Sequence, residues 1–364
     1  MNLFRSFRLV QLQIIGILFS VSTFSVFGWA ESSWIFFQNH LHSHNDHTFS
    51  RFPESTDLED SYSSEGIQAL IDQAKEEGID ALAITDHNTI SQWFDPVFQE
   101  EKEVLLLPAM EWTNMFGGHA SLLGFHADHE GKAIVPRHPR TTLEASDYID
   151  MMDETHTRGG LVIINHPKSL YVPHRWPANL YDADGIELNF SSFMQPGATL
   201  EWWEGQLKMG KKLFLLGGSD YHAGNFYGAP FESTNLILVE ERSLNVLFES
   251  LKAGKIQVLR SPASPRVDIH AIRIDGQAFG IGEEVLLLPL QSLFLQIKVT
   301  GGNGGELEIY SHQGLVETVK ITEDVFEYSD AYLPKYRNDY LWFKVKMDSE
   351  LETVVNPLYL TQRF

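Results

Sequence analysis

Three short apolar runs in this chain each end in a pair of imidazole or carboxylate groups. His42 and His44 stand in His-Leu-His-Ser-His, Asp86 and His87 in Ile-Thr-Asp-His-Asn-Thr, and Asp220 and His222 in Gly-Gly-Ser-Asp-Tyr-His. Glu111, His119 and His166 lie between them, beside further apolar segments. Strand ends are where an α/β fold gathers its chemistry, because side chains from many separate segments converge there. Two groups at i and i+2 point the same way only on an extended backbone, so the His-x-His and Asp-x-His spacings themselves ask for strands. Imidazole nitrogens and carboxylate oxygens are the donors that zinc, manganese and iron accept. The nine residues therefore read as one metal centre assembled from the ends of separate strands.

The pattern from Trp34 to Arg260 fits that demand. Ala81 to Thr85, Val104 to Pro108, Leu161 to Asn165, Gly185 to Phe190 and Leu213 to Leu216 are short apolar runs with turn residues nearby. Ile67, Leu70, Ile71 and Ala74 repeat at helical spacing before Gly78, and Leu244, Leu247, Phe248 and Leu251 do so before Gly254. Strand–helix alternation predicts parallel strands with right-handed crossovers, either an α/β barrel or an open doubly wound sheet. Ser261-Pro262-Ala263-Ser264-Pro265 reads as a linker. Beyond it Leu293, Leu295, Ile297 and Val299, then Leu341, Phe343, Val345 and Met347, alternate with more polar or outward positions, which predicts a small antiparallel β-sandwich. The expected division is 1–30 a secretory signal, 31–262 a metal-bearing domain and 263–364 a β-sandwich.

The signal reading rests on Arg5 and Arg8, an uncharged apolar stretch after them, and the small residues of Gly28-Trp29-Ala30. An uncleaved anchor is the alternative, since a bilayer needs ~20 apolar residues. With no cysteine in the chain, neither a lipid-linked cysteine nor a disulfide framework is available. The expectation is an exported protein, periplasmic or secreted, with no stable membrane association once the signal is removed. A formal charge of −22 disfavours nucleic acid as a partner. It does not exclude a small anionic substrate, because bound dications would dominate the local field. Thirteen of the fifteen histidines lie between His40 and His222, which assigns the chemistry to the first two-thirds of the chain.

The ordered set His-Leu-His-Ser-His, Ile-Thr-Asp-His-Asn-Thr, Pro-Ala-Met-Glu-Trp-Thr, Gly-Gly-His-Ala-Ser-Leu-Leu-Gly, Ile-Asn-His-Pro and Gly-Ser-Asp-Tyr-His resembles the polymerase-and-histidinol-phosphatase (PHP) metalloesterases. The Gly-His-Ala-Ser-Leu-Leu-Gly segment and the closing Asn-Pro-Leu-Tyr resemble the branch that includes carbaryl-type hydrolases. The resemblance implies an α/β fold, a distorted (β/α)7 barrel followed by a small antiparallel β-sandwich, with two or three divalent ions (Zn, Mn or Fe). It implies that His42, His44, Glu111 and Asp220 hold one ion and that Glu111 bridges to a second held by His119 and His166. His87 and His222 would hold a third ion or position the leaving group, and Asp86 would be a ligand or the partner of a histidine. Glu111, Asp86, His87 and His222 are then the expected catalytic groups. One departure stands out: Phe49 falls where the family has an acid, so Asp46 or His47 is left to complete the third site.

A pair of dications lowers the pKa of water to about 7 and stabilises a developing oxyanion. The same centre suits displacement at phosphorus or addition to a carboxyl ester or carbamate carbonyl, and no Gly-x-Ser-x-Gly elbow or cysteine offers another nucleophile. The expected activity is hydrolysis of a small, anionic ester, most simply a phosphoester, with oligomeric state left open. An amidohydrolase-type barrel also opens on His-x-His, but the paired Asp86-His87 and the closing Asp-x-His argue against it. An exported binding protein with structural metals and a partner-binding β-domain is the non-enzymatic rival. Among weaker signals, His126, His129 and His138 read as solvated loop residues. Lys168, Arg137, Arg140 and Arg175 are ordinary surface cations or an anion site, Trp203 packs a core, Trp112 walls a pocket, and Glu187 is a buried carboxylate in need of a partner.

Overall fold

The computed structural model describes residues 33–46, 63–114, 117–135, 145–175, 182–223 and 229–363. The expected signal segment, His47, Phe49, Arg137, His138 and Arg140 lie outside the described residues. Among those described, no helix is long and apolar enough to cross a membrane.

The chain is mixed α/β and rich in strands. Its first part runs β1 (Ser33–Leu41), α1 (Ile67–Glu76), β2 (Ala81–Ile84), α2 (Pro96–Glu100), β3 (Leu105–Leu106), β4 (Ala109–Asn114), β5 (Gly118–Leu123), α3 (Ala145–Thr157), β6 (Leu161–Ile164), β7 (Gly185–Leu188), α4 (Pro196–Lys208), β8 (Phe214–Tyr221), β9 (Thr234–Val239), α5 (Leu244–Lys252) and β10 (Ile256–Leu259). Strands β2, β6, β7 and β10 are buried along their whole length, as strands covered on both faces must be. The buried residues of α1 are Ile67, Leu70, Ile71 and Ala74, the stripe its sequence spacing predicts.

Parallel pairs link β3 to β2, β2 to β1, β1 to β8, β8 to β7 and β7 to β6. The path then departs from uniform strand–helix alternation, because β5 pairs antiparallel with both β4 and β6. Only three residues separate β4 from β5, far too few for a parallel crossover, so the two can form only a hairpin. An isolated parallel bridge between His87 and Glu111 brings β4 back to the segment that leaves β2. The strands thus draw Asp86, Glu111, His166 and Asp220 toward one end.

The last hundred residues supply β11 (Arg266–Ile272), β12 (Ala278–Phe279), β13 (Glu284–Leu287), β14 (Leu293–Thr300), β15 (Glu306–Ser311), β16 (Gly314–Lys320), β17 (Val325–Tyr332), β18 (Asn338–Met347) and β19 (Glu350–Gln362). One sheet has the order β12-β11-β14-β17, and its Val267, Ile269, Leu295 and Ile297 share a core with Leu307, Ile309, Leu341 and Phe343 of β15 and β18. The β18 alternation is incomplete: Trp342, expected to face outward, is buried 5.3 Å from Trp203. That second face of β18 rests on the first core, which includes Tyr340 and Trp342.

No break in the sheet occurs at the expected linker. Strand β19 pairs antiparallel with β10, so β18, β19, β10, β9 and β1 follow one another in a single sheet. Asn356 of β19 is the polar lock at this seam. Its side chain accepts from Leu215 N (2.7 Å) and donates to Leu215 O (2.8 Å) and Ile256 O (3.2 Å). Replacing it strands three buried backbone groups, each worth about 1–3 kcal/mol when unsatisfied. Asn356→Ala should therefore lower the unfolding free energy by roughly 2–4 kcal/mol in urea denaturation; a change below about 0.5 kcal/mol would contradict this account.

Glu308 of β15 is a second buried polar anchor. It accepts from Tyr310 Oη (2.6 Å), Lys346 Nζ (2.7 Å) and Lys344 Nζ (2.9 Å). Burial alone would raise its pKa, but these three donors outweigh burial and hold it at about 2. A carboxylate whose pKa falls on folding contributes stability that is complete above its unfolded value and lost as pH drops through the folded one. Acid denaturation should accordingly show a loss between about pH 4.5 and pH 2 that is absent in Glu308→Gln.

Candidate metal centre

The centre is built from strand ends, and the backbone there is bent to aim side chains inward. His40 (φ 66°), Asp220 (φ 55°) and His166 (φ 26°) all have positive φ. Non-glycine residues in this region cost of order 1–3 kcal/mol each and persist only where surrounding structure demands them. Gly218 serves the same purpose by its lack of a side chain: a Cβ there would stand 2.6 Å from Glu187 Oε1 and 3.0 Å from His40 Cβ.

Glu111 is the hub. Its Oε1 lies 3.0 Å from His119 Nδ1, 3.1 Å from His40 Nε2 and 3.4 Å from His166 Nε2, and accepts from Asn165 Nδ2 at 2.8 Å. Its Oε2 lies 2.8 Å from His87 Nε2 and 3.6 Å from His42 Nε2. Asp220 Oδ1 closes on the same space, 3.2 Å from His40 Nε2 and 3.4 Å from His42 Nε2. Asp46 forms a second acidic focus: its Oδ1 lies 2.7 Å from His87 Nδ1, and its Oδ2 3.3 Å from His222 Nε2 and 3.4 Å from His42 Nδ1.

Three overlapping sets of buried donors are thus close enough to hold a metal: His40, His42, Glu111 and Asp220; His87, Glu111 and His119; and His42, Asp46, His87 and His222. The donor chemistry fits a borderline divalent cation. So does the bonding pattern, since the buried ring nitrogens of His42 and His166 make no hydrogen bond of good geometry and meet carboxylates only at 3.4–3.6 Å. Buried polar atoms are normally paired; here they crowd together at cation-bridging distances. Because His42, His87 and Glu111 each belong to two sets, filling all three needs these side chains to be shared.

The predicted residues can be placed one by one. His42, His87, Glu111, His119, Asp220 and His222 fall in the three sets, and His166 touches Glu111. His44 does not join them. Strand β1 ends at Leu41, and His40 and His42 on either side of that end both bring Nε2 to Glu111 (3.1 and 3.6 Å), while His44 lies in the following turn and its N–H donates to Glu65 O (2.7 Å). The His-x-His pair at the centre is therefore His40 and His42, two residues earlier than the expected one. Asp86 also stays outside the sets and accepts from Ser43 N (2.6 Å) and Ser43 Oγ (2.7 Å), fixing the turn after His42. Asp46 joins His42, His87 and His222 in one set, whereas His47, the other candidate for the missing acid's place, lies outside the described residues.

Glu187 finds its partner in this centre. Its Oε2 lies 3.1 Å from His40 Nδ1 and accepts from His166 N (3.0 Å), which fixes the His40 ring with Nε2 toward Glu111 and Asp220. A carboxylate behind a ligating histidine sets ring orientation and tautomer in this way. Trp112 is fully buried against Tyr148 (6.1 Å between ring centres) in a core rather than a pocket wall, because the alternate residues Glu111 and Trp112 face opposite sides of β4. Lys168 lies over Trp202 at 5.0 Å, Trp203 is core, and His126 and His129 are exposed.

Electrostatics follow from burying so many ionisable groups together. Burial disfavours the charged form of His87, but Asp46 and Glu111 outweigh it and raise the pKa to about 10. Burial likewise opposes charge on His40, which Glu187, Glu111 and Asp220 reverse, lifting it well above the usual imidazole value. Burial would raise Glu111 and Asp220, yet the surrounding imidazoles, His40 first, hold both well below the ordinary carboxylate range. Asp86 goes the other way: burial and the Asp46 charge push it up to about 7. Without metal the centre is therefore a buried ion-pair network in which protons occupy places a cation can take.

Among comparisons with known proteins, no family model and no curated sequence matches this chain. Of solved structures, a two-domain protein from Bacteroides vulgatus, described as containing a predicted PHP-like metal-dependent phosphoesterase, aligns over 90% of this chain and 96% of its own. It does so at 14% identity and a TM-score of 0.47. An engineered protein aligns over 79% of this chain and 50% of its own at 12% identity and a TM-score of 0.21.

The placement of His40 and His44 is directly testable. Metal content after loading and dialysis, read by elemental mass spectrometry, should fall substantially in His40→Ala and remain near the parent level in His44→Ala. The reverse order would return the site to the pair expected from sequence.

Proposed function

We propose that this chain is a metal-dependent hydrolase, a phosphoesterase acting on a small anionic ester, exported and working without nucleic acid. The observation that carries the reading is the crowding of three overlapping buried His/Asp/Glu sets, two of them sharing Glu111, with ring nitrogens of His42 and His166 meeting carboxylates only at 3.4–3.6 Å. The order of the sequence motifs, which resembles the PHP metalloesterases, supports the same chemistry. A (β/α)7-type barrel with the metals at its carboxyl end is the architecture this reading adopts.

His40, His42, Glu111 and Asp220 would hold one ion, and His87, His119 and His166 a second, with Glu111 reaching both. Asp46, His222 and His87 would hold a third or, unfilled, position the leaving group. Two or three ions (Zn, Mn or Fe) would supply Lewis-acid activation of water and of the ester oxygen. The protein's own contribution is geometric and electrostatic. Glu187 keeps His40 in register, Asn165 holds Glu111 by donating to Oε1, and the Ser43–Asp86 pair fixes the turn carrying His42 toward Asp46. Burial and the neighbouring His42 keep the His222 pKa low, which suits a ring that would serve as a ligand beside Asp46. A carboxyl ester or carbamate is the second substrate class, supported by the Gly-His-Ala-Ser-Leu-Leu-Gly segment.

The test uses the chain from Glu31 onward, loaded with manganese or zinc, against a chromogenic phosphomonoester, a phosphodiester and a carboxyl ester. Turnover of the phosphomonoester should vanish with chelator and return with metal. His42→Ala and Asp220→Ala should each lose at least about a hundredfold, roughly 3 kcal/mol of transition-state stabilisation. Turnover of the carboxyl ester alone would favour the second class. Absence of turnover with two metals bound would point to a binding protein.

A further inference from the structure

A cavity of about 620 Å³ lies at the seam between the first core and the C-terminal strands, away from the metal centre. It is lined by the end of α4 and the residues leading into β8, while Asp220 sits near the other end of that strand. At ~3.3 Å per residue the two places are separated by roughly 20 Å. Its volume falls in the range of small-molecule sites, which favour such seams.

The lining runs against the character of the chain. In a protein of formal charge −22, four cations, Lys208, Lys211, Lys212 and Arg337, line one cavity against two carboxylates, Glu284 and Asp339. Lys208 pairs with Glu204 (3.0 Å) and Lys212 with Glu284 (2.9 Å). The Arg337 guanidinium is exposed and makes no hydrogen bond or ion pair. Beside it Tyr336 leaves 44% of its surface open and is backed by the His312 ring at 4.3 Å. Tyr340 also lines the cavity, and its hydroxyl is buried without a hydrogen-bond partner. A free planar fork suits a carboxylate or phosphate, which it can bind through two parallel N–H donors. A half-open aromatic face suits a ring laid flat, and the unpartnered Tyr340 hydroxyl suits a hydroxyl group of the ligand.

We propose that this seam is a second binding site, for a sugar-sized ring bearing one carboxylate or phosphate group, recognised by Arg337 with Tyr336 as the platform. Nothing in it depends on the metal centre, so it stands whether or not the chain is a hydrolase. Carboxylate and phosphate present the same anionic oxygens, and the experiment separates them.

Titration calorimetry at low salt would use glucuronate, glucose 6-phosphate, glucose and inorganic phosphate, on the full chain with and without chelator. Glucuronate, glucose 6-phosphate or both should bind, equally in stripped protein, while glucose does not; whichever binds identifies the head group. Arg337→Ala should weaken that binding at least about tenfold, the effect of losing one charged hydrogen-bond pair. Tyr336→Ala should weaken sugar-linked anions while leaving inorganic phosphate unchanged. Both positions are exposed, so metal content should match the parent in each. Binding of neither anionic sugar, binding indifferent to Arg337→Ala, or inorganic phosphate binding as tightly as glucose 6-phosphate would overturn the proposal.

Discussion

One buried carboxylate organises this molecule. Glu111 has no exposed surface, yet five imidazoles and an amide reach its two oxygens. An isolated carboxylate in such a place would be expelled or protonated, since transfer out of water without partners costs many kcal/mol. It stays charged because the imidazoles it gathers share their protons with it, and a divalent cation would serve the same end more completely. Its backbone matters equally: Glu111 N donates to Thr85 O, Asn88 N donates to Glu111 O, and the bridge to His87 joins β4 to the segment leaving β2. The residue that unites the ligands also brings the sheet path round on itself.

The cost of this arrangement appears in the backbone. His40, Asn88, His166 and Asp220 all have positive φ, and each lies at or just past the end of a strand that feeds the centre. A strand alternates its side chains across the sheet, whereas the centre needs neighbouring side chains to converge on one point. The local reversal of φ turns the chain at each strand end. The strain is held by the hydrogen bonds around it: Ser219 Oγ donates to His40 O (3.1 Å) and His166 N donates to Glu187 Oε2 (3.0 Å).

Much of this was legible in the sequence. The apolar runs and stripes foretold β2, β6, β7, α1, α5 and β14 because each has a simple burial period. Which residues gather into the donor sets was legible where one residue alone could serve, as with Glu111 and Asp220. It was not legible at His40-Leu41-His42-Ser43-His44, because three histidines at period two offer two equivalent pairs. Only the length of β1 and the turn after Leu41 choose between them. Asp46 needed that same turn to be placed. Trp342 shows a different limit: alternation reveals that a strand has two faces, and cannot say that both will be covered.

The C-terminal strands bear on the centre without contributing a ligand to it. Strand β8 carries Gly217 and Gly218 at its middle, where close packing leaves no room for side chains; a Cβ at Gly217 would collide with the Ser233 carbonyl. Two glycines would make a strand compliant, and here the strand carries Asp220 to within 3.2–3.4 Å of His40 and His42. The stiffness comes from both sides. Asn235 accepts from Gly217 N and donates to Gly217 O, and Asn356 does the same for Leu215. Asn356 comes from β19, the strand that pairs with β10 and closes over the second core. The C-terminal strands are thus part of the frame that fixes Asp220, which gives a physical reason for one sheet to run unbroken through both parts of the chain.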